Sequence, residues 1–320
     1  MEPVQAAFPG KNGKVVFVSN RLTPDNPIPE GRTVPDFEIF VSSASGAGVV
    51  QLTHNNWNDF EPAFSHDGRK IVFTHEREGD ADIFVMSASG AGEKDLTPDG
   101  LTVAPALDED PAFSPSGKKI VFVSVRETGE GVNNPEKDRE IFTMNIDGTG
   151  LRQLTNNAPR EDNFGANDQD PVFSPSGKKI AFTTDRDQMV GDENTEIYTM
   201  DASGANEVNL SRNPARDIRP DWSPDGRRIV FGSFRDSVST AEIYAINADG
   251  SNPRRLTANN VADGSPVFSP DGRQMAFHSF RDGNLEIHRM KTDGSQQTMV
   301  TNILTGENAQ PDWQPLQPRR

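Results

Sequence analysis

Short apolar stretches alternate with polar turns along the whole chain, and no stretch keeps a helical period over three turns. One phrase recurs: Pro, any residue, Phe or Trp, a turn ending in Gly, then a β-branched run. It reads Pro62-Ala63-Phe64 with Gly68, Pro111-Ala112-Phe113 with Gly117, and Pro171-Val172-Phe173 with Gly177. It returns as Pro220-Asp221-Trp222 with Gly226 and Pro266-Val267-Phe268 with Gly272, at spacings of 49, 60, 49 and 46 residues. A further start, Pro311-Asp312-Trp313, follows 45 residues later with no strands behind it. The N-terminus shows the reverse, a strand Lys14–Val18 after only a poor opening phrase, Phe8-Pro9-Gly10.

Each unit predicts four short strands. The Pro-x-aromatic strand enters a turn such as Ser114-Pro115-Ser116-Gly117, with residues that suit type I. A run such as Lys119-Ile120-Val121-Phe122-Val123 follows, then an acid-led strand such as Glu140-Ile141-Phe142, a Gly turn, and a last strand ending in Leu-Thr. Ile120 and Phe122 point to one side and Val121 and Val123 to the other, so both faces of each small sheet need covering. Sheets stacked around a ring satisfy that, and the fold class expected is all-β: a six-bladed β-propeller of four-stranded antiparallel blades. The Pro311-Asp312-Trp313 strand is expected to join the first blade and close the ring, removing two exposed sheet edges. Residues 1–320 then form one domain, with a leader at 1–7, blades over 8–315 and a tail at 316–320.

Charge narrows the partners. Against 32 Lys+Arg stand 48 Asp+Glu, a net charge of −16, which disfavours nucleic acid and anionic membranes and favours a basic partner. No apolar run is long enough for a spanning helix, the first 30 residues lack the apolar core of a signal peptide, and there is no cysteine for disulfides or thiolate chemistry.

The recurring Ser-Pro-Asp-Gly turns (Ser223–Gly226, Ser269–Gly272), Glu-Ile-Tyr/Phe strands and Leu-Thr ends resemble the TolB-like β-propellers, a WD-repeat-like class, over roughly residues 8–315. The resemblance implies a propeller that binds partner proteins and an extracytoplasmic, periplasmic or secreted, location. It also implies an additional N-terminal domain, for which the blades leave no room here.

Three polar positions repeat near the loop-rich face. The first, three residues before each Pro, holds Asp59, Asp108, Asp168, Asp217 and Asp263, with Asn308 in the last copy. The second holds Arg21, Arg77, Arg126, Arg186, Arg235 and Arg281; the third holds Glu38, Asp82, Glu140, Glu196, Glu242 and Glu286. A scaffold of Arg–acid bridges is one reading. The other places the five Asp residues in a ring at the channel mouth, joined by Glu61, Asp110 and Asp170, as oxygen ligands for Ca²⁺.

Residues that break the repeat are the candidates for a partner site: Trp57, Phe60, Phe164, Phe234 and Phe280 as aromatic anchors, and Arg216 and Arg219, which pair with nearby Asp or hold a ligand carboxylate. No Gly-x-Ser-x-Gly, His-Glu-x-x-His or phosphate loop occurs, and the five histidines are scattered. The function expected is therefore a monomeric, non-catalytic propeller that binds a protein or peptide. The alternative is a carbohydrate-active enzyme, a lyase or hydrolase with its site at the channel mouth.

Overall fold

A computed structural model describes residues 11–28, 33–98, 106–127, 131–157, 166–188, 194–303 and 306–316. These residues form six four-stranded antiparallel sheets and no helix. Blade two shows the plan: Asn58–Phe64 lies innermost, then Lys70–Arg77, Asp80–Ser87 and, outermost, Lys94–Asp95. The innermost strands of blades three to six are Glu109–Phe113, Asp168–Phe173, Asp217–Trp222 and Asp263–Phe268. In blade one that place belongs to the C-terminal strand Asn308–Leu316, which pairs with Lys11–Ser19 from Lys11↔Leu316 to Ser19↔Asn308. Head and tail of the chain thus share one sheet.

The alternation along each second strand distributes its side chains between two neighbours. Ile120 and Phe122 pack with Val72, Ile83 and Val85 of blade two. Val121, between them, packs with Phe173, Ile180 and Phe182 of blade four. Six such seams hold the core, and each is built from two adjacent blades. No blade can bury its apolar faces alone.

The repeated phrases have local causes. In the Ser114–Gly117 turn the Gly117 amide donates to the Ser114 carbonyl, and the Ser114 hydroxyl receives the Lys119 amide at 3.1 Å. The Leu-Thr ending latches the outer edge, where Thr155 Oγ1 accepts the amide of Ile141 at 2.8 Å. Thr53, Thr97, Thr257, Thr301 and, in blade four, Ser211 do the same for their blades. Gly294 is required by closeness as well as by its φ of +88°, since a Cβ there would lie 2.4 Å from the Leu256 carbonyl oxygen of the preceding blade.

Candidate functional site at the channel mouth

Every innermost strand carries a bulge at the residue before its proline. The register against the second strand slips between Phe60 and Ala63, and likewise in the other blades. Proline suits this place because it has no N–H to lose from the ladder. The preceding residues, Glu61, Asp110, Asp170, Arg219, Ser265 and Gln310, all have φ between 47° and 56°. For a non-glycine residue that conformation costs about 1–2 kcal/mol. The strain turns six polar side chains onto the wall of the central channel, a cavity of about 190 Å³.

These side chains lace the inner strand edges together. Gln310 Oε1 accepts the Glu61 amide at 2.9 Å, and Glu61 Oε2 accepts the Asp110 amide at 2.8 Å. Asp110 Oδ2 accepts the Asp170 amide at 3.1 Å, and Asp170 Oδ2 the Arg219 amide at 3.2 Å. Thr74 and Thr183 add hydroxyl bonds to Glu61 and Asp170, each 2.9 Å. Arg219 then donates from Nη1 to Ser265 Oγ at 2.9 Å, and its Nε lies 3.8 Å from Asp170.

Two residues deeper the wall is Ala63, Ala112, Val172 and Val267, interrupted by Asp221 and Asp312. Each of these two carboxylates receives the amide of the next blade's aromatic residue, Phe268 and Phe64, at 2.7 Å. Burial pushes Asp221 up to about 8, helped by the charge of Asp312 and offset by the Phe268 amide. Burial takes Asp312 to about 6 against the Phe64 amide. At the mouth, burial and the Asp110 charge raise Asp170 to about 6 while Arg219 opposes the shift. Asp110 stands well above the usual carboxylate range through burial, the Glu61 charge and a hydrogen bond from its own carboxyl to Glu61. Burial in the channel thus favours the protonated form of these carboxyls.

The ring of Asp59, Asp108, Asp168, Asp217 and Asp263 is not on the channel wall. All five side chains are inaccessible to solvent and lie within the blades. Asp108, Asp168, Asp217 and Asp263 pair with Arg126, Arg186, Arg235 and Arg281, and Asn308 receives Arg21 at 2.6 Å. Each guanidinium also lies over the aromatic rings of its blade, as Arg235 does over Phe231 and Tyr244. Blade two departs. Its second and third strands close on a two-residue turn, Glu78-Gly79, both with positive φ. Arg77 is drawn into that hairpin opposite Asp80, and His75 meets Asp59 at 2.7 Å instead. The five Asp residues expected at the channel mouth thus sit inside the blades, four against Arg and Asp59 against His75. Among the described residues no group of three or more His, Asp or Glu is arranged to hold a metal.

The third acidic set anchors loops: Glu38, Glu140, Glu196, Glu242 and Glu286 accept amides from the connections between blades, at 2.7–3.0 Å. Burial and the Asp168 charge raise Glu140 to about 8. Of the symmetry-breaking residues, Arg219 is in the channel ring. Arg216 lies over the Phe234 ring, 4.9 Å from its centroid. Phe60 packs on Phe37 at 5.3 Å, Trp57, three residues before it, is half-buried, and Phe280 is 46 % exposed. Phe164 lies outside the described residues. Sequence reading passed over Ser265, Gln310, Asp221, Asp312 and His278. The available signal was the polar residue before every proline and the Asp that interrupts an Ala/Val position.

Fold and site together define a closed six-bladed β-propeller with a strained polar ring at its channel mouth. The family description "TolB beta propeller domain" matches residues 235–317. A protein TolB homolog of Chlorobium chlorochromatii is 29% identical over 141 aligned residues, covering 32% of this chain and 30% of that protein. In the curated relatives the match spans less than a third of their own length, 20% in an uncharacterised protein of Agrobacterium fabrum. The solved TolB of Acinetobacter baumannii superposes with a TM-score of 0.73 at 20% identity, over 95% of this chain and 67% of that one. An oligogalacturonate lyase in complex with manganese shares the fold with a TM-score of 0.54 at 13% identity, over 91% and 74%. The chain is a six-bladed β-propeller similar to the TolB propellers, with its C-terminal blades matching their family description.

Proposed function

We propose that this propeller is a non-catalytic binding module for a protein or peptide, engaged through the loop-rich face and the channel mouth. One observation carries the reading: on the face where innermost strands begin, exposed Phe280 and the stacked Arg216–Phe234 pair stand at the start of two of the strands whose bulges carry the polar ring. Rigid scaffolds with aromatic and Arg anchors suit protein recognition. TolB likeness supports the same reading and an extracytoplasmic site of action. The charge of −16 selects a basic partner, whose association slows as salt rises. A cation on the buried Asp set is no part of this proposal.

The test is affinity capture from periplasmic and secreted extracts with the wild-type chain and a Phe234→Ala/Phe280→Ala variant. A partner held by the wild type, weakened by salt and released about tenfold more readily from the variant supports the proposal. Equal capture by both places the interface elsewhere. The carbohydrate-active alternative lacks support from the histidines among the described residues: His75 is held by Asp59 and His288 by Asp282, in different blades. Turnover of an oligogalacturonide by purified protein would overturn the non-catalytic reading.

A further inference from the structure

The lacing of the channel mouth stops at one place. Four bulge amides, those of Glu61, Asp110, Asp170 and Arg219, end on an acceptor from the preceding blade. Arg219 carries no acceptor atom, so blade five offers nothing to the amide of Ser265. Blade six in turn offers Gln310 the short Ser265 hydroxyl, which already receives Arg219 Nη1, and His278 at the place from which Thr183 Oγ1 also accepts the Arg219 amide at 3.2 Å; no bond joins the Gln310 amide to either. Ser265 and Gln310 have the same backbone conformation as the four laced residues, with φ of 47° and 50°. Their amides therefore face the channel, and among the described residues neither meets a side-chain acceptor. Left bare on an inner strand edge, such groups are costly unless water or a ligand serves them.

A second feature lies in the same sector. At the position where Thr74 and Thr183 reach Glu61 and Asp170, blade six has His278. Its Nδ1 is buried with no hydrogen-bond partner. Burial and the nearby Arg219 charge hold the ring neutral, far below the usual histidine range at about 3. One sector of the mouth is thus rich in unused donors: two amides and the free edge of a guanidinium whose side chain is 34% exposed. The opposite sector is Glu61, Asp110 and Asp170.

We propose that the channel mouth binds a small zwitterion, its carboxylate seated on Arg219 and the Ser265 and Gln310 amides, its ammonium turned to Glu61 and Asp110. The carboxylate supplies the acceptor that Arg219 and Ser265 cannot, and so completes the ring. A plain anion offers nothing to the acidic sector, and a plain cation leaves the donors unserved. A cavity of about 190 Å³ suits a compact amino acid. The inference stands apart from the protein-partner reading and is tested without any partner.

The probes are glycine, β-alanine and γ-aminobutyrate, with propionate and n-propylamine as the two halves, titrated by calorimetry and by amide NMR. At least one zwitterion binds about tenfold tighter than either half, a difference of about 1.4 kcal/mol. The Ser265 and Gln310 amide resonances shift on titration, and Arg219→Gln weakens binding about tenfold or more. Arg219→Glu, which supplies the missing acceptor from within, also loses binding. The NMR arm uses wild-type protein, so it decides even if a variant misfolds. Propionate or propylamine binding as tightly as every zwitterion, amides that do not respond, or no saturation by any probe overturns the proposal.

Discussion

His278 occupies the space that a side chain at position 264 would need. The two residues face each other across the innermost pair of blade six, and a Cβ on Gly264 would lie 2.6 Å from His278 Nε2. Gly264 is not at positive φ, so its role is room for the ring, not backbone freedom. Gly264→Ala therefore destabilises the protein by about 1–3 kcal/mol. Adding His278→Thr, the residue type found there in blades two and four, recovers most of the loss. Urea melts of the single and double variants measure it; independent, additive effects would show that the two do not share this space.

The closure of the ring gives a second expectation. Deleting residues 309–320 removes nearly all of the innermost strand of blade one and bares the edge of Lys11–Ser19. It also removes Asp312, which holds the Phe64 amide of blade two. The truncated chain melts at least about 10 °C lower or fails to fold. Unchanged melting would contradict the shared first blade.

The buried ion pairs make a third. Asp168 is wholly inaccessible and receives Arg186 Nη2 on both oxygens at 3.0 Å. Asp168→Ala leaves the mostly buried guanidinium only Glu207 as a charge partner and costs about 3 kcal/mol. Adding Arg186→Met recovers part of that loss by replacing the under-compensated charge with apolar volume over Phe182 and Tyr198. A chemical-denaturation cycle on the four proteins reads the coupling.

The channel acids set the pH response. A carboxyl whose pKa is higher folded than unfolded keeps its proton longer in the fold, so its stabilisation is full below the unfolded value and declines as pH rises to the folded one. For Asp221 that window runs from about 4 to about 8. Asp170 and Asp312 add losses up to about 6. The protein is consequently more stable at pH 5 than at pH 8. Asp221→Asn keeps an oxygen for the Phe268 amide, removes the charge and stabilises by on the order of 1 kcal/mol at pH 8. Thermal melts across that range test both statements, and a profile rising toward pH 8 would refute them.

Much of the ring can be read along the chain because each blade repeats its own instructions. The Ser-x-x-Gly turns, the acid-led third strands and the Leu-Thr latches all act within a few residues or one hairpin. The two-sided apolar run Ile120–Val123 announces that something must cover both faces. Even the missing fourth strand was legible, since Pro311-Asp312-Trp313 has no other place to pair.

The site was read less well, and the bulge is the reason. One extra residue before each proline changes which side chains meet the channel, so Glu61, Asp110 and Arg219 face inward while Asp59, Asp108 and Asp217 meet their own partners inside the blade. Strand alternation counted from sequence cannot register that slip. Likewise only the tight Glu78-Gly79 hairpin explains why His75, not Arg77, reaches Asp59.

By itself, then, the sequence determined the blade, the number of blades and the need to join tail to head, because those follow from local turns and from apolar surface that must be hidden. Tertiary structure decided that Glu61, Asp110 and Asp170, and not the Asp set two residues before them, line the channel, that Arg219, Ser265 and Gln310 complete the ring, and where its lacing breaks. Those contacts join residues from different blades, 46 to 249 positions apart, and depend on backbone strain that no residue pattern records.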